Sequence, residues 1–309
     1  MRTTLMMVRR KAMALLRGRR DAISSAATKV DHNNPPQQIS FFIESYGCQQ
    51  NASDSEIVKT ILLNAGHSEA TSPDDATFVF QNTCSIRENA EGKIWHRLKY
   101  FESLRRKRRS ATPRVAILGC MAERLKDKLL DEGTVDLVVG PDGYRQLPTL
   151  VQTVVDNPDT PLTCVDFSAT EHYQDIRPTR KVGDVSAYVS IMRGCNNMCT
   201  FCIVPFTRGR EKSRDFQSIV DEITFLVHEH SVKEVLLLGQ NVNGYHDASP
   251  ASAALFPTNT TYQTSSSGFA NTFNSRQRFA PGARFSDLLA AVADISPELR
   301  VRFTSPVPA

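Results

Sequence analysis

The sequence of 309 residues predicts an α/β protein with a parallel sheet in its first half and a second βαβαβ region after it. Two observations lead to this fold class. Short apolar runs alternate with amphipathic stretches, which is the pattern of parallel βαβ units. In addition, Cys48, Cys84 and Cys120 each stand directly after an apolar run, and each lies 36 residues from the next. The composition suits a globular protein, since 40% of the residues are hydrophobic and 23% are charged.

Four strands and three helices are predicted in the first half. The strands are ISFFIESYGC (39–48), ATFVFQNTC (76–84), RVAILGC (114–120) and VDLVVG (135–140). The first helix is expected over 53–66, because Ser53 and Glu56 have the spacing of a capping box and Gly66 can end a helix. The stretches AEGKIWHRLKYFESL and MAERLKDKLLDE give the other two helices.

The second half repeats the alternation. Its predicted elements are the strand SAYVSIMRGC (186–195), the helix SRDFQSIVDEITFLVHEHSV (213–232), the strand and loop KEVLLLGQNVNGY (233–245), the helix FSDLLAAVADIS (285–296) and the strand RVRFTS (300–305). This βαβαβ order is the start of a (β/α) barrel or of an open sheet.

The expected domain organisation follows from these elements. Residues 1–38 are predicted as a mitochondrial transit peptide and linker, because eight basic residues between 2 and 29 face one acidic residue, Asp21. The alternative is a disordered basic tail on a cytoplasmic protein. Domains are expected at 39–160 and 187–309, joined by a linker at 161–186. Residues 247–283, rich in Ser, Thr, Asn and Ala, are expected to be a low-complexity insertion without regular structure. No apolar run is long enough for a membrane span.

The first three cysteines are expected to converge. The carboxyl ends of parallel strands lie on one edge of a sheet, where ligands bind. Three equivalent positions at that edge favour a shared ligand, either zinc or an iron–sulfur cluster. The alternative is three buried structural cysteines, since free cysteine is often buried.

A second group of cysteines lies in GCNNMCTFC (194–202), where Cys195, Cys199 and Cys202 are separated by three and by two residues. Three thiolates leave one iron of a [4Fe–4S] cluster without a protein ligand, so that this iron can bind a substrate. Zinc is the alternative, with a histidine as the fourth ligand. The histidines considered for that role are His172, His228 and His230.

The stretch VSIMRGCNNMCTFCIVPFTRGREKSR, with Phe201 before the last cysteine, resembles the radical S-adenosylmethionine (SAM) signature. Together with SYGCQQNASDSE, NTCSIRENAEGKIWHRL, GCMAER and VDLVVGPDGYRQLP, it resembles the methylthiotransferase family of that superfamily. The resemblance covers residues 40–246 and resumes over 284–306. The residues YGCQ-N followed by DSE resemble the MiaB-type branch and its mitochondrial relatives. These are tRNA-2-methylthio-N6-isopentenyladenosine synthases.

The resemblance implies an N-terminal methylthiotransferase domain followed by the first part of a radical SAM partial (β/α) barrel. It implies tRNA as substrate, methylthiolated at C2 of N6-isopentenyladenosine 37 in the anticodon loop. Two [4Fe–4S] clusters, SAM and a one-electron donor protein are implied as well. The implied ligands of the catalytic, SAM-cleaving cluster are Cys195, Cys199 and Cys202, and those of the sulfur-donating cluster are Cys48, Cys84 and Cys120.

The resemblance also implies that Phe201, Gln240 and Asn241 lie beside SAM. The positive charges of Arg208 and Arg210 would lie near the active site. Members of the family continue beyond RVRFTS into further barrel strands and a C-terminal RNA-binding β domain, so this chain is expected to be a truncated form. Two alternatives to the enzyme therefore stay open. One is a non-catalytic product of the family that binds clusters or a partner, and the other is a zinc-binding α/β interaction protein.

Overall fold

The computed structural model describes residues 37–86, 88–110, 112–180, 183–257 and 280–306. The predicted transit peptide lies almost entirely outside these ranges, as does the middle of the predicted insertion, residues 258–279. Within the described residues, none of the helices combines the length and the hydropathy that a membrane span requires.

A six-stranded, fully parallel sheet organises the first half, in the order β2-β1-β3-β4-β5-β6. Its strands are β1 (Ser40–Tyr46), β2 (Ser68–Glu69), β3 (Phe78–Thr83), β4 (Arg114–Gly119), β5 (Leu137–Val139) and β6 (Leu162–Cys164). The predicted parallel α/β fold is confirmed. The sequence pattern missed β2 and β6. The two residues of β2 are exposed and the three of β6 are only half-buried, so neither forms an apolar run, whereas the equally short β5 is fully buried and does.

Helices cover both faces of this sheet. They are α1 (Gln49–Asn64), α2 (Glu88–Arg108), α3 (Cys120–Leu125) and α4 (Leu147–Asp156). Phe78 and Phe80 of β3 pack with α1 and α4 on one face, whereas Val79 packs with α2 on the other. All residues of β3 and β4 are buried as a result. This double coverage explains why the apolar residues of these strands, 78–80 and 115–118, are consecutive rather than alternating.

Helix α1 begins four residues before the predicted capping box. The Asn51 side-chain oxygen accepts from the Cys48 backbone N–H at 3.3 Å and from the Cys48 thiol at 3.2 Å, so the helix starts at Gln49. Ser53 consequently lies inside the helix and is buried. The predicted end is confirmed. Gly66 has a φ of +86°, and its N–H donates to the Leu63 carbonyl at 2.9 Å.

The second half contains a three-stranded parallel sheet in the order β13-β10-β7, which confirms the predicted βαβαβ unit. Its strands are β7 (Ser186–Ser190), β10 (Glu234–Leu238) and β13 (Arg300–Phe303). Four short strands form two antiparallel pairs. In the first, β8 (Met192–Arg193) pairs with β9 (Lys212–Ser213), and in the second, β11 (His246–Asp247) pairs with β12 (Ala283–Arg284). The helices are α5 (Val204–Thr207), α6 (Phe216–Glu229), α7 (Pro250–Leu255) and α8 (Phe285–Ala293).

The expected linker and the expected low-complexity insertion are both partly folded. In the expected linker 161–186, β6 pairs with β5, and buried Tyr173 donates through its hydroxyl to the Pro141 carbonyl at 2.9 Å. In the expected insertion 247–283, Ser249 caps the short helix α7, and β11 pairs with β12 across the segment. Hydrogen bonds between residues far apart in sequence stabilise both segments, and composition does not reveal such bonds.

Candidate metal centres

The structure brings Cys48, Cys84 and Cys120 to one edge of the six-stranded sheet. They follow the neighbouring strands β1, β3 and β4. The last residues of β3 and β4, Thr83 and Gly119, are paired in register. The Cys48 side chain is hydrogen-bonded to that of Cys84. Cys84 and Cys120 are buried, and Cys48 is half-buried. The thiols therefore lie on the carboxyl edge of the sheet, where parallel folds hold ligands.

Gly119 sets the position of Cys120. Its φ is +85°, and a Cβ at this position would lie 2.4 Å from the Asn82 side-chain oxygen. Asn82 is itself held in place, because its amide donates to the Asn51 carbonyl at 3.0 Å while the Asn51 amide donates to the Asn82 side-chain oxygen at 3.1 Å. Only glycine has both the conformation and the space that this turn requires.

The electrostatics at this edge favour a thiolate. The pKa of Cys48 falls to about 5, chiefly because of its hydrogen bond with Cys84, with a further lowering from the positive charge of Arg208. The thiolate is the form of cysteine that binds metals. Cys164 is different, because burial and then the nearby Asp166 raise its pKa to about 11.

The second cysteine group forms a loop after β8. The loop begins at Gly194, whose φ is +74° and whose Cβ would lie 2.1 Å from the Arg210 carbonyl oxygen. The Cys195 N–H donates to the Gly209 carbonyl at 3.2 Å, and the Cys202 N–H donates to the Cys199 carbonyl at 3.0 Å. Cys195 is buried, Cys202 is half-buried and Cys199 is exposed. Burial raises the pKa of Cys195, and the nearby Glu211 and then the other two cysteines raise it further.

The residues expected beside SAM occupy different surroundings. Phe201 is 92% exposed. Gln240 and Asn241 follow the carboxyl end of β10, and the buried side-chain oxygen of Gln240 has no hydrogen-bond partner among the described residues. Asn241 is hydrogen-bonded to Glu211, and burial raises the pKa of Glu211 to about 7. The sequence reasoning missed Glu211, although an acid within the basic stretch RGREKSR was a usable signal.

The arrangement of the thiols bears on whether they would hold a single metal ion or an iron–sulfur cluster. No three His, Cys, Asp or Glu side chains of the described residues are gathered closely enough to hold one metal ion. His228 and His230 lie at the carboxyl end of α6, which runs antiparallel to the strands, and so they lie at the opposite edge of the sheet from the cysteine loop. Two separate sets of three thiols suit iron–sulfur clusters, whose ligands are thiolates spread around several irons.

One buried ionic network joins the two halves of the chain and reaches Cys120 of the first cysteine group. The Nε of Arg208 donates to Cys120 Sγ at 3.2 Å, and its Nη2 donates to Asp54 Oδ2 at 2.9 Å. The other oxygen of Asp54 accepts from Arg193 Nη1, also at 2.9 Å. Lys212 pairs with Asp142 at 2.7 Å beside them. The sequence reasoning assigned no role to Asp54 or Arg193, although a charged residue at the end of the apolar stretch SIMRGC was a signal for the latter.

Two family descriptions match the chain. The Uncharacterized protein family UPF0004 matches residues 40–140, and the Radical SAM superfamily matches residues 189–271. Among solved structures, a radical S-adenosylmethionine methyltransferase from Kitasatospora setae matches at 12% identity with a TM-score of 0.48, covering 67% of this chain and 48% of the other. A match at this level says nothing about function.

Several curated proteins are much more similar. A tRNA-2-methylthio-N(6)-dimethylallyladenosine synthase of Bacteroides thetaiotaomicron is 45% identical over 86% of this chain and 52% of its own length. The mitochondrial tRNA methylthiotransferase CDK5RAP1 of Rattus norvegicus is 46% identical over 88% of this chain and 45% of its own length. A CDK5RAP1-like protein of Oryza sativa subsp. japonica is 46% identical over 94% of this chain and 50% of its own length.

The chain thus spans about half the length of the curated relatives it matches. The UPF0004 match contains the first cysteine group, and the Radical SAM match contains the second. The chain belongs to the radical SAM methylthiotransferase family.

Proposed function

We propose that this protein acts in tRNA modification, as a radical SAM methylthiotransferase that attaches a methylthio group to C2 of N6-isopentenyladenosine at position 37. The observation that supports this function is the presence of two three-cysteine groups, with Arg208, from the segment that follows the second group, in contact with Cys120 of the first. The names of the relatives supply the substrate class, since two of them are tRNA-modifying enzymes. Isopentenyl and dimethylallyl are two names for the same substituent.

In this proposal each cysteine site holds one [4Fe–4S] cluster. The residues of the catalytic site are Cys195, Cys199 and Cys202, and those of the sulfur-donor site are Cys48, Cys84 and Cys120. When bound, the catalytic cluster supplies the electron that cleaves SAM, and the second cluster carries the sulfur. Each site has three thiols, which leaves one iron of each cluster without a protein ligand.

The side chains around the catalytic loop would bind and orient SAM. Asn241 and Glu211 are hydrogen-bonded to each other, and the unpartnered oxygen of Gln240 can accept from the SAM amino group. A Glu211 pKa of about 7 allows this carboxyl either to donate or to accept near neutral pH. Phe201 is exposed and so is free to stack on an aromatic ring of SAM or of the substrate.

The partners in this proposal are tRNA, SAM and a one-electron donor protein. A mitochondrial location is proposed on two grounds. One is the basic, acid-poor N-terminal segment, and the other is that the similar rat protein is named as mitochondrial.

Metal analysis of the full chain tests the proposal. After anaerobic purification and reconstitution, about eight irons per chain, with matching acid-labile sulfide, are expected. The triple substitution of Cys195, Cys199 and Cys202 by Ala should leave about four irons. A chain with about one zinc and no iron would instead support the zinc-binding alternative.

Turnover separates the enzyme from a non-catalytic member of the family. The chain is incubated with SAM, a reductant and tRNA that carries N6-isopentenyladenosine, and the nucleosides are analysed by mass spectrometry. Formation of the 2-methylthio nucleoside, absent in the triple alanine variant, supports the enzyme. Full iron content without SAM cleavage would support the non-catalytic alternative.

A further inference from the structure

Arg208 belongs to the segment after the catalytic cysteine loop, but its guanidinium group lies among residues of the first half of the chain. Its Nε donates to Cys120 Sγ and its Nη2 donates to Asp54. The third nitrogen, Nη1, is buried and has no hydrogen-bond partner among the described residues. A buried donor without a partner is destabilising. An anionic group at the neighbouring cysteines would satisfy it.

The charges around Arg208 do not cancel. Arg208 and Arg193 share the single carboxylate of Asp54, and Lys212 pairs with Asp142, which also lies 3.9 Å from the Nε of Arg193. Three cations therefore face two carboxylates, and each of these side chains is at most 6% exposed. These three cations and two carboxylates leave one positive charge, which faces the thiols of Cys48 and Cys120 in a buried region where water screens it poorly.

We infer that Arg208 is a positioning residue of the sulfur-donor site, which donates a hydrogen bond to the Cys120 sulfur and brings positive charge to the cluster held there. The inference rests on the proposed function, because it assumes a cluster at Cys48, Cys84 and Cys120. Hydrogen bonds to the ligand sulfurs and nearby positive charge stabilise the reduced, more negative form of a cluster. The reduction potential of the sulfur-donor cluster would thus depend on Arg208, which belongs to the segment that follows the catalytic cysteine loop.

The test measures the potential of the sulfur-donor cluster alone. The full chain with Cys195, Cys199 and Cys202 replaced by Ala provides the background, and Arg208→Gln is added to it. Iron content is measured first, followed by a redox titration monitored by electron paramagnetic resonance. Arg208→Gln is expected to retain the iron and to lower the midpoint potential. The expected shift is at least a tenfold change in the reduction equilibrium, about 59 mV for one electron.

Two control variants separate the contact from general effects of charge. Arg210 is exposed and lies two residues away, so Arg210→Gln makes the same change of charge without touching the site and should not shift the potential. Arg193→Gln removes a cation from Asp54, but no hydrogen bond joins Arg193 to Cys120, so it should give a smaller shift. If the Arg208→Gln variant does not bind iron, the Arg208→Lys variant is titrated instead, since lysine keeps the charge but loses the planar donor geometry.

The outcomes distinguish this inference from the proposed function. Absence of iron in the background chain, before Arg208 is changed, would remove the sulfur-donor cluster itself and with it the inference. Iron retained with an unchanged potential in the Arg208 variant would overturn the inference alone. An equally large shift in Arg193→Gln would also overturn it, because the effect would then come from buried charge and not from the contact with Cys120.

Discussion

Asp54 and Arg193 form a buried ion pair between the two halves of the chain, with 2.9 Å between Oδ1 and Nη1 and side chains that are 0% and 2% exposed. The partners are 139 residues apart in sequence. A second cation, Arg208, binds the other oxygen of the same carboxylate. The negative charge of Asp54 offsets the desolvation cost of two buried guanidinium groups at once. Removing this charge should therefore destabilise the folded chain.

Asp54→Asn is expected to lower the free energy of unfolding by about 3 to 5 kcal/mol, because it leaves two buried cations without a counter-charge. Urea unfolding of the iron-free chain measures the change. The matched control is Asp221→Asn, which alters an exposed carboxylate of α6 and should stay within about 0.5 kcal/mol of the parent. Similar losses of unfolding free energy in the two variants would show that the buried ion pair does not stabilise the contact between the halves.

Gly119→Ala is expected to destabilise the chain and to impair iron binding, since the added Cβ would lie 2.4 Å from the Asn82 side-chain oxygen at a φ of +85°. Gly133→Ala is the matched control. Gly133 has a φ of +71°, and a Cβ there would meet no atom within 4 Å. The control should lose only the conformational contribution, about 1 to 2 kcal/mol, and should keep its iron. Equal losses of stability and iron in both variants would contradict the role assigned to Gly119.

Cys84→Ala is expected to lower the iron content by about four atoms per chain, because a [4Fe–4S] cluster would lose one of its three protein ligands. Cys164→Ala should leave the iron content unchanged, since Cys164 lies in β6, outside the edge formed by β1, β3 and β4. Metal analysis of the two variants after identical reconstitution makes the comparison. Loss of iron in Cys164→Ala would place this fourth thiol at the site and would revise the ligand set.

Glu211 gives a prediction about pH. Burial raises its pKa from 4.5 to about 7, so between these values the folded chain keeps a proton that the unfolded chain has lost. Stability therefore falls as the pH rises through this window. Glu211→Gln removes the ionisation and should stabilise the iron-free chain at pH 8 by about 1 to 3 kcal/mol, after allowance for partial exposure, with little effect at pH 4.5.

Urea unfolding at several pH values between 4.5 and 8 measures this difference. Glu229→Gln is the control, because Glu229 is an exposed carboxylate at the end of α6. It should give no gain that grows with pH. A constant difference between Glu211→Gln and the parent across the whole range would show that Glu211 does not hold a proton in the folded chain.

The sequence pattern predicted the parallel sheet for a physical reason. Strands buried on both faces, such as β3 and β4, contain consecutive apolar residues, here 78–80 and 115–118, and these make them visible as runs. The half-buried strand β6 has only three residues and gives no such signal. The start of α1 was predicted at Ser53 because a capping box is a local pattern, whereas the contact between Cys48 and Asn51 that starts the helix does not match the usual capping residues.

By itself, the sequence determined the fold class, the resemblance to a family and the six cysteines proposed as ligands, because residue type and spacing along the chain carry that information. Only the tertiary structure decided that Arg208 meets Cys120, 88 residues away, and that Asp54 holds both Arg193 and Arg208. Such contacts depend on how the two halves of the chain pack against each other. No local periodicity encodes that packing, since helix and strand patterns specify which face of an element is buried but not which distant residue covers it.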